Sequence, residues 1–288
     1  MYGTALEGEY LLLVASIIGL VVGSFLNVVI LRGRYYEKLT GRSHCEGCRT
    51  KLSWQELIPL FSFLLQKGRC RHCGTVLSWQ YPLVEAGTAA AYLAAAGAAV
   101  ILLPPGIWPF ALIVFWWIAI AAAIVILVSD IRFHIIPNGA FLTLLVLGLL
   151  LVLLRITAAR GIPIPPYLAT VSVWYDIVSA CALAGILASL WFFSRGRWIG
   201  LGDAKLILAG SLITGFPVSL IAFLFSFWLG GAAGIILLAS GAKNLKSKIP
   251  FGPFILGGFL LAQVFARPFL SLSGLGETGE AALRLFER

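Results

Sequence analysis

Long apolar runs separated by short polar segments dominate the chain and predict membrane-spanning helices. A helix needs about 20 mostly apolar residues to cross a bilayer, and eight runs reach or approach that length. They lie at roughly 10–31, 82–103, 107–128, 138–154, 173–194, 204–216, 217–240 and 251–270. The sixth run is short and the break at TGFPVS is ambiguous, so the predicted number of spans is eight to within one.

The composition supports the same interpretation. Hydrophobic residues make up 60% of the 288 positions, charged residues make up 11%, and the mean hydropathy is +0.98. A soluble domain could not bury that much apolar surface, so we predict an all-α polytopic integral membrane protein with about eight transmembrane helices. No basic residue precedes the first apolar run, which is untypical of a cleaved signal peptide, and we expect that run to be retained.

The basic residues predict how the chain is oriented. With the N-terminus outside, sixteen of the 21 Lys and Arg residues fall in cytosolic loops or at cytosolic helix ends, as the positive-inside rule requires. The five exceptions are Arg155, Arg160, Arg267, Arg284 and Arg288. In so apolar a chain, the net charge of +9 marks cytosolic loops rather than a nucleic-acid surface, and we expect no nucleic-acid partner.

The long cytosolic loop, residues 32–81, carries two C-x2-C pairs. Cys45 and Cys48 form the first pair, and Cys70 and Cys73 form the second. Four thiolates with this spacing suit one tetrahedral zinc ion, which would stabilise a loop too small to build its own core. A redox or unliganded cysteine pair remains the alternative. We therefore predict a small cytosolic four-cysteine zinc-binding loop domain.

Two of the three aspartates stand at predicted helix ends on the cytosolic side. Asp130 ends the third run and Asp203 begins the sixth, in the stretch IGLGDAKL. Each carboxylate could simply pair with a nearby base, Arg132 or Lys205, and fix a helix end. At matched depth, however, two acids on different helices also suit an aspartyl protease, in which a pair of carboxyl groups shares one proton.

The residues around these aspartates give further expectations. Gly200 and Gly202 lack a Cβ, which would let a peptide backbone approach Asp203 closely. The third aspartate, Asp176, lies near the outer start of the fifth run and is expected to be an interfacial or N-terminal helix carboxylate without a chemical role. Cys181 stands alone within a span and is expected to be a small buried hydrophobe.

Taken together, these motifs resemble the type IV prepilin peptidase family, whose members are bifunctional leader peptidases and N-methyltransferases with a GxGD-type aspartyl protease site. The resemblance is collinear over nearly the whole chain. In order, it rests on GSFLNVVILR (23–32), the two C-x2-C pairs, YPLVE (81–85), D-x6-P-N (130–138), GLGDAKL (200–206) and PFGPF (250–254). One position departs: Leu57 stands where the family commonly carries Asn, which concerns the methyl-transfer half and not the protease.

The resemblance implies a function. Asp130 and Asp203 would be the catalytic pair that cuts the leader from prepilins or pseudopilins at the cytosolic membrane face, with Gly200, Gly202 and Lys205 supporting the site. S-adenosyl-L-methionine would then donate a methyl group to the new N-terminus, and one zinc ion would be structural. Asn27 and Glu85 are candidate contacts for the substrate or the methyl transfer, although a packing amide and an interfacial anchor explain them equally well.

The resemblance also implies the setting and the division of the chain. We expect a multi-pass protein of the bacterial inner membrane that meets the lipid bilayer and a pilus or type II secretion assembly machinery. The predicted parts are a first helix (1–31), the zinc-binding loop (32–81), helices two and three (82–128), a protease core (129–270) and a tail (271–288). The alternatives are a leader peptidase alone, with the loop as a docking module, an ion-coupled transporter using both aspartates, and a zinc-bearing membrane scaffold without chemistry.

Overall fold

The computed structural model describes residues 2–34, 40–102, 107–159, 172–241 and 249–272. The predicted outer loop 161–167 and almost all of the predicted tail lie outside the described residues, as does the inner loop that contains Lys243, Lys246 and Lys248. The chain forms two compact units, Met1–Val128 and Ser129–Arg288. Each unit is described by itself.

The first unit consists of membrane helices and the cysteine loop. Its described elements are α1 (Tyr2–Arg34), a 3-10 turn (Trp54–Leu57), α2 (Phe61–Leu65), α3 (Gln80–Leu102) and most of α4 (Ile107–Phe133). Helices α1 and α3 pack closely because a glycine faces the neighbouring backbone: a Cβ at Gly23 would lie 2.7 Å from Cα of Glu85. Small residues commonly permit such close approach between membrane helices.

The second unit holds the remaining helices. They are α5 (Asn138–Ala159), α6 (Val173–Ser194), α7 (Leu201–Thr214), α8 (Val218–Ala239) and α9 (Gly252–Leu272). Within the described residues, six helices of the chain are long and apolar enough to cross a membrane, namely α1, α3, α4, α5, α6 and α8. Helix α9 has a shorter apolar stretch, Gly252–Phe265, and α7 has only 14 residues. The all-helical membrane fold predicted from the sequence is confirmed, and the short sixth run is the short helix α7.

The third aspartate lies in the first turn of α6, as expected of a carboxylate at a helix N-terminus. Unexpectedly, Asp176 is fully buried within the unit, and its Oδ2 lies 3.3 Å from Nη1 of Arg155. Arg155 also donates hydrogen bonds to the carbonyls of Leu212 and Ile213 at the end of α7, and Asp176 accepts one from the backbone N–H of Phe216. The charge of Arg155 is therefore neutralised by this ion pair inside the protein.

The expectation for Cys181 was also wrong. Its side chain is exposed on the outer surface of α6 and not buried in the unit. A small thiol is compatible with a lipid-facing position because it behaves as a weakly polar hydrophobe. The periodicity of α6 could not reveal this, since that helix is apolar on every side.

Candidate active site and metal centre

Asp130 lies in the last turn of α4, and the first residue of α9 holds its carboxylate. The side chain is buried, and Oδ2 accepts a 2.8 Å hydrogen bond from the backbone N–H of Gly252. A Cβ at Gly252 would lie 2.6 Å from the same oxygen, so only glycine allows the backbone to approach this closely. The stretch PFGPF therefore places a backbone donor against Asp130.

Asp203 is the third residue of α7 and is also buried. Its Oδ2 accepts a 3.1 Å hydrogen bond from the backbone N–H of Gly200, the residue that caps the helix. A carboxylate in the first turn is favoured by the free N–H groups and the positive end of the helix dipole. Each aspartate thus has one oxygen held by a glycine N–H, and in the described part of the chain no hydrogen bond engages its Oδ1.

The link between α4 and α5 brings the two aspartate motifs together. Ile136 packs against Gly202, where an added Cβ would lie 3.0 Å from the isoleucine side chain. The two carboxyl groups are near enough for the charge of Asp130 to act on Asp203. The structure therefore gives Gly202 a packing contact, and the approach of a substrate backbone to Asp203 stays a prediction.

Lys205 does not pair with Asp203. Its ammonium nitrogen lies 3.4 Å from Oδ1 of Asn138 and 5.7 Å from the ring centroid of Phe141. These contacts fasten the first turn of α7 to the first turn of α5. The structure therefore does not contain the ion pair between Asp203 and Lys205 that was the simple alternative for this aspartate.

The four cysteines of the first unit form a cluster. The sulfurs of Cys45, Cys48, Cys70 and Cys73 all lie within 4.8 Å of one another, and those of Cys45 and Cys73 are 3.9 Å apart. A tetrahedral zinc site with Zn–S bonds of about 2.3 Å places its sulfurs about 3.8 Å apart. The geometry and the donor set therefore fit one zinc ion held by four thiolates.

The backbone builds the two halves of this cluster in the same way. The N–H of Cys45 bonds to the carbonyl of Thr50 at 3.0 Å, and the N–H of Cys70 bonds to that of Thr75 at 2.9 Å. In each half the residue after the second cysteine is left-handed, with φ of 60° at Arg49 and 71° at Gly74. In each half, this turn directs both cysteine sulfurs toward the centre of the four-sulfur cluster.

The thiols divide into two exposed and two buried groups. Hydrogen bonds from Thr75, its hydroxyl first, lower the pKa of Cys73 to about 6, and Thr50 likewise lowers the pKa of Cys48. Burial raises the pKa of Cys45 to about 11. The Cys73 thiolate therefore forms readily at neutral pH, whereas the Cys45 thiolate requires a cation to stabilise it.

The remaining polar groups of the loop bind it to itself and to α3. Oε2 of Glu56 accepts hydrogen bonds from the N–H and hydroxyl of Ser53, and the backbone bond is the main reason that the pKa of Glu56 is lowered. Oε1 of Glu56 lies 3.4 Å from Nε2 of His72 without a hydrogen bond. Glu85 is buried and accepts a 2.8 Å bond from the N–H of Leu60.

Asn27 joins α1 to the start of α3. Its amide nitrogen donates to the carbonyl of Tyr81 at 3.2 Å, and its Oδ1 accepts from Nε2 of Gln80 at 3.0 Å. These bonds are those of a helix-packing amide, which was one of the two interpretations of this residue.

Two residues of the aspartate site escaped the sequence analysis. Gly252 was noted within PFGPF, and Asn138 within D-x6-P-N, but neither was given a contact. The sequence did carry one signal for the role of Gly252, which is a glycine between two bulky residues at the start of an apolar run. Because glycine is a poor helix former, its presence there suggests that another group approaches the backbone closely. Nothing in the local pattern indicated which side chain it would approach.

Comparison with known proteins agrees with both halves of this description. The model of the bacterial Peptidase A24 N-terminal domain matches residues 17–98, and the model of the type IV leader peptidase family matches residues 117–235. The first match includes the four-cysteine loop, and the second includes both aspartates. No solved structure matches the chain at a significant level.

Named relatives match over most of their length. The prepilin leader peptidase/N-methyltransferase of Bacillus subtilis (strain 168) is 31% identical over 266 residues, which cover 91% of this chain and 97% of the relative. Proteins of the same name from Burkholderia pseudomallei (strain 1026b) and Aeromonas hydrophila are each 30% identical, covering 90% and 82% of this chain and 87% and 84% of the relatives. With matches of this extent and with both domain models in order along the sequence, the chain belongs to the type IV leader peptidase family.

Proposed function

We propose that this protein removes the leader from prepilins or pseudopilins and then methylates the new N-terminus. The observation that carries the proposal is the pair of buried carboxylates, Asp130 and Asp203, each held through one oxygen by a glycine N–H. A membrane protein rarely buries acids at neighbouring helix ends without a chemical use for them.

The two aspartates divide the work of peptide hydrolysis. One carboxylate is ionised and takes a proton from the attacking water, while the other is protonated and donates a hydrogen bond to the scissile carbonyl. The N–H groups of Gly200 and Gly252 fix the Oδ2 atoms and leave the Oδ1 atoms to face water and substrate. Like charges at short distance cannot both ionise, so the pair shares one proton.

Lys205 and the two glycines of the GxGD motif support this arrangement. Lys205 binds Asn138, which fixes the start of α7 relative to α5. Gly202 makes room for Ile136, and Gly200 supplies a backbone donor. Lys205, Gly200 and Gly202 are positioning residues, because each helps to fix the position of Asp203 and does not contact the substrate.

The second activity is N-methylation with S-adenosyl-L-methionine, which supplies an electrophilic methyl group on a sulfonium. The chain's own part is to remove a proton from the new N-terminal amine and to hold that amine near the donor. Glu85 is a buried carboxylate on α3 that suits this task, and Asn27 holds the start of the same helix.

One zinc ion bound by Cys45, Cys48, Cys70 and Cys73 gives the loop its structure. The ion closes two turns on each other and adds folding free energy that a loop of this size cannot obtain from apolar burial. Four thiolates fill a tetrahedral site and leave no position for substrate, so the ion's role is structural.

The proposed setting is the bacterial inner membrane, with the N-terminus outside and the cysteine loop in the cytoplasm. This orientation puts both aspartates at the cytosolic edge, where a prepilin leader lies. The substrate would be passed on to a pilus or type II secretion assembly machinery. A peptidase without methyl transfer, a transporter and an inert scaffold receive no support from a specific contact in the structure.

One experiment tests both activities. The purified protein is incubated with a prepilin-like peptide and S-adenosyl-L-methionine, and the product N-terminus is examined by mass spectrometry. The expected product lacks the leader and carries one added methyl group. Cleaved product that stays unmethylated in excess donor would favour the peptidase-only alternative, and uncleaved peptide would refute the proposal.

A further inference from the structure

The loop between α1 and α3 exposes large apolar side chains, although the sequence predicts a cytosolic domain there. Among its described residues, six such side chains are 64% to 72% exposed: Trp54, Phe61, Leu64, Leu65, Val76 and Trp79. Phe61, Leu64 and Leu65 belong to α2, where their spacing of three and four positions puts them on one side of the helix, here called the apolar face of α2. Large exposed apolar surfaces usually mark a contact with lipid or protein.

The opposite side of α2 is packed against the rest of the first unit. Phe63 is buried, and its ring centroid lies 5.1 Å from that of Trp79, the residue before α3. The same ring lies against Gly68, where an added Cβ would be 3.3 Å from it. The helix is therefore attached through Phe63, and its apolar face is not needed to hold the loop together.

A hydrogen bond places the start of α2 within the depth of the membrane. The N–H of Leu60, the residue before α2, donates to Oε2 of Glu85 at 2.8 Å. Glu85 lies five residues inside the α3 span, which begins at Gln80, or about 7.5 Å along that helix. On α1, Glu85 packs against Gly23, which lies ten residues, or about 15 Å, before the end of the span at Gly33. The chain therefore enters α2 from within the apolar depth of both spans.

The lipid-facing surface of α3 continues into the loop at Trp79. Trp79 and Leu83 are both exposed and lie one helical turn apart, since the N–H of Leu83 bonds to the carbonyl of Trp79. Leu83 belongs to the α3 span, and tryptophan is enriched where spans meet the headgroups. Because Phe63 of α2 contacts Trp79, α2 lies directly beside a surface that meets lipid.

The charges around α2 favour a partner with negative charge. Within residues 51–79 the one acid, Glu56, is buried, whereas every Lys and Arg is exposed, namely Lys51, Lys67, Arg69 and Arg71. Lys67 and Arg69 follow the end of α2 by two and four residues. Apolar side chains next to Lys and Arg are typical of segments that lie in the interface of a bilayer with anionic lipids.

A second copy of the chain fits this surface less well than lipid does. In a two-fold contact the same surface meets itself, so Lys67 and Arg69 of both copies would be brought together. Like charges at close distance oppose such a contact. Anionic headgroups above acyl chains complement both the cations and the apolar face of α2.

We propose that α2 lies in the membrane interface, with Phe61, Leu64 and Leu65 among the lipid acyl chains and with Lys67 and Arg69 at anionic headgroups. The loop predicted to be cytosolic is thus attached to the bilayer between its two flanking helices. Because α2 lies in the chain between the two C-x2-C pairs, this attachment keeps the four-cysteine cluster at the membrane surface.

Lipid and water quenchers test the position of α2. In a Cys181→Ser background, a fluorophore on Leu64→Cys is compared with one on Thr40→Cys, an exposed loop position outside α2. The full chain, zinc-loaded, is reconstituted in vesicles of phosphatidylcholine and phosphatidylglycerol, and its zinc content after labelling confirms that the four ligand thiols are unmodified. Nitroxide groups on the acyl chains should quench the label at position 64 several-fold more than that at position 40, and aqueous iodide should quench in the opposite order.

Removal of the cations tests the part given to the headgroups. Lys67→Gln combined with Arg69→Gln should reduce acyl-chain quenching of the label at position 64 in vesicles that contain phosphatidylglycerol. In vesicles of phosphatidylcholine alone, the same double change should have no effect. Equal quenching with and without the two cations in both kinds of vesicle would overturn the role of anionic headgroups.

A further measurement uses the wild type, so that it depends on no variant and no attached fluorophore. Phosphatidylglycerol with a photoreactive diazirine in its acyl chain is cross-linked to the reconstituted protein, and peptide mapping should find label in segment 54–67 as well as in the spans. Quenching of position 64 by iodide alone would place α2 in water, and shielding from both quenchers would place protein against it. Either result, or a segment 54–67 without cross-linked lipid, would overturn the proposal.

Discussion

The backbone N–H of Gly252 donates a 2.8 Å hydrogen bond to Oδ2 of Asp130, although the two residues are 122 positions apart. The contact joins the last turn of α4 to the first residue of α9. It fixes the orientation of one carboxylate before substrate arrives, which is how an active site avoids reorganisation during the reaction.

Replacing Gly252 with Ala should impair cleavage strongly. The new Cβ would lie 2.6 Å from Oδ2 of Asp130, so either the carboxyl group or the start of α9 must move. A displacement of about 1 Å in a catalytic group commonly costs about 100-fold in rate. Initial cleavage rates in detergent measure the effect, and Gly234→Ala is the matched control because a Cβ there meets nothing within 4 Å. Equal rates for the two variants would contradict the role of Gly252.

The fold was largely predictable from the sequence because each membrane helix requires an apolar run of about 20 residues, which is easily recognised. The apolar runs placed every long helix of the two units, and the short run at 204–216 predicted the short helix α7. The C-x2-C spacing likewise predicted the cysteine cluster, since two residues between cysteines form a turn that points both sulfurs one way.

Partners that lie far apart in sequence were not predictable. Asp176 was expected at an interface or at a helix N-terminus and does lie in the first turn of α6, but its full burial depends on Arg155 and on the turn after α7. The contact between Gly252 and Asp130 depends in the same way on how α9 packs. The exposure of Cys181 could not be predicted, because α6 is apolar on every face and its sequence pattern does not show which face is buried.

Removing one zinc ligand should unfold the loop without affecting the helices. In Cys70→Ser we expect zinc to fall from about one equivalent to less than half, and the loop to become sensitive to protease, because metal binding supplies much of its folding free energy. Elemental analysis and limited proteolysis give the two readouts. Cys181→Ser serves as the control, since that thiol is exposed on α6 and far along the chain from the cluster. Full zinc content in Cys70→Ser would refute the four-thiolate site.

The buried pair of Arg155 and Asp176 should matter for stability and not for chemistry. Arg155→Met leaves the Asp176 carboxylate buried without its cation, and breaking such a pair typically costs about 3–5 kcal/mol. Joint replacement of both residues with Met and Leu should cost less than the single change. Denaturant or thermal unfolding in detergent measures this, and a double change as damaging as Arg155→Met would contradict the unpaired-charge explanation.

The orientation of the chain can be tested with an impermeant thiol reagent on intact cells. In a Cys181→Ser background, Glu46→Cys should react only after lysis, because the loop is predicted to be cytosolic. Ser172→Cys, at the start of α6, should react in intact cells. Labelling of Ser172→Cys only after lysis would reverse the predicted topology and move both aspartates to the outer face.

The two-aspartate mechanism makes the sharpest prediction. Asn cannot accept the proton of the attacking water or share a proton with a second carboxylate, so Asp130→Asn and Asp203→Asn should each remove nearly all cleavage. The wild-type rate should depend on pH as a bell whose two limbs belong to the pair jointly. Lys205→Ala should be milder, because that ammonium binds Asn138 and not the carboxylate.

Asp176→Asn is the control for these variants. It removes a buried charge in the same unit, so it should lower stability while the folded fraction still cleaves at a rate near that of the wild type. Initial rates per folded molecule, with zinc content confirmed for each variant, separate the two effects. Substantial cleavage by folded Asp130→Asn or Asp203→Asn would rule out the shared-proton pair. A loss in folded Asp176→Asn as large as theirs would show that removing any buried carboxylate of this unit abolishes cleavage, and that the pair has no special role.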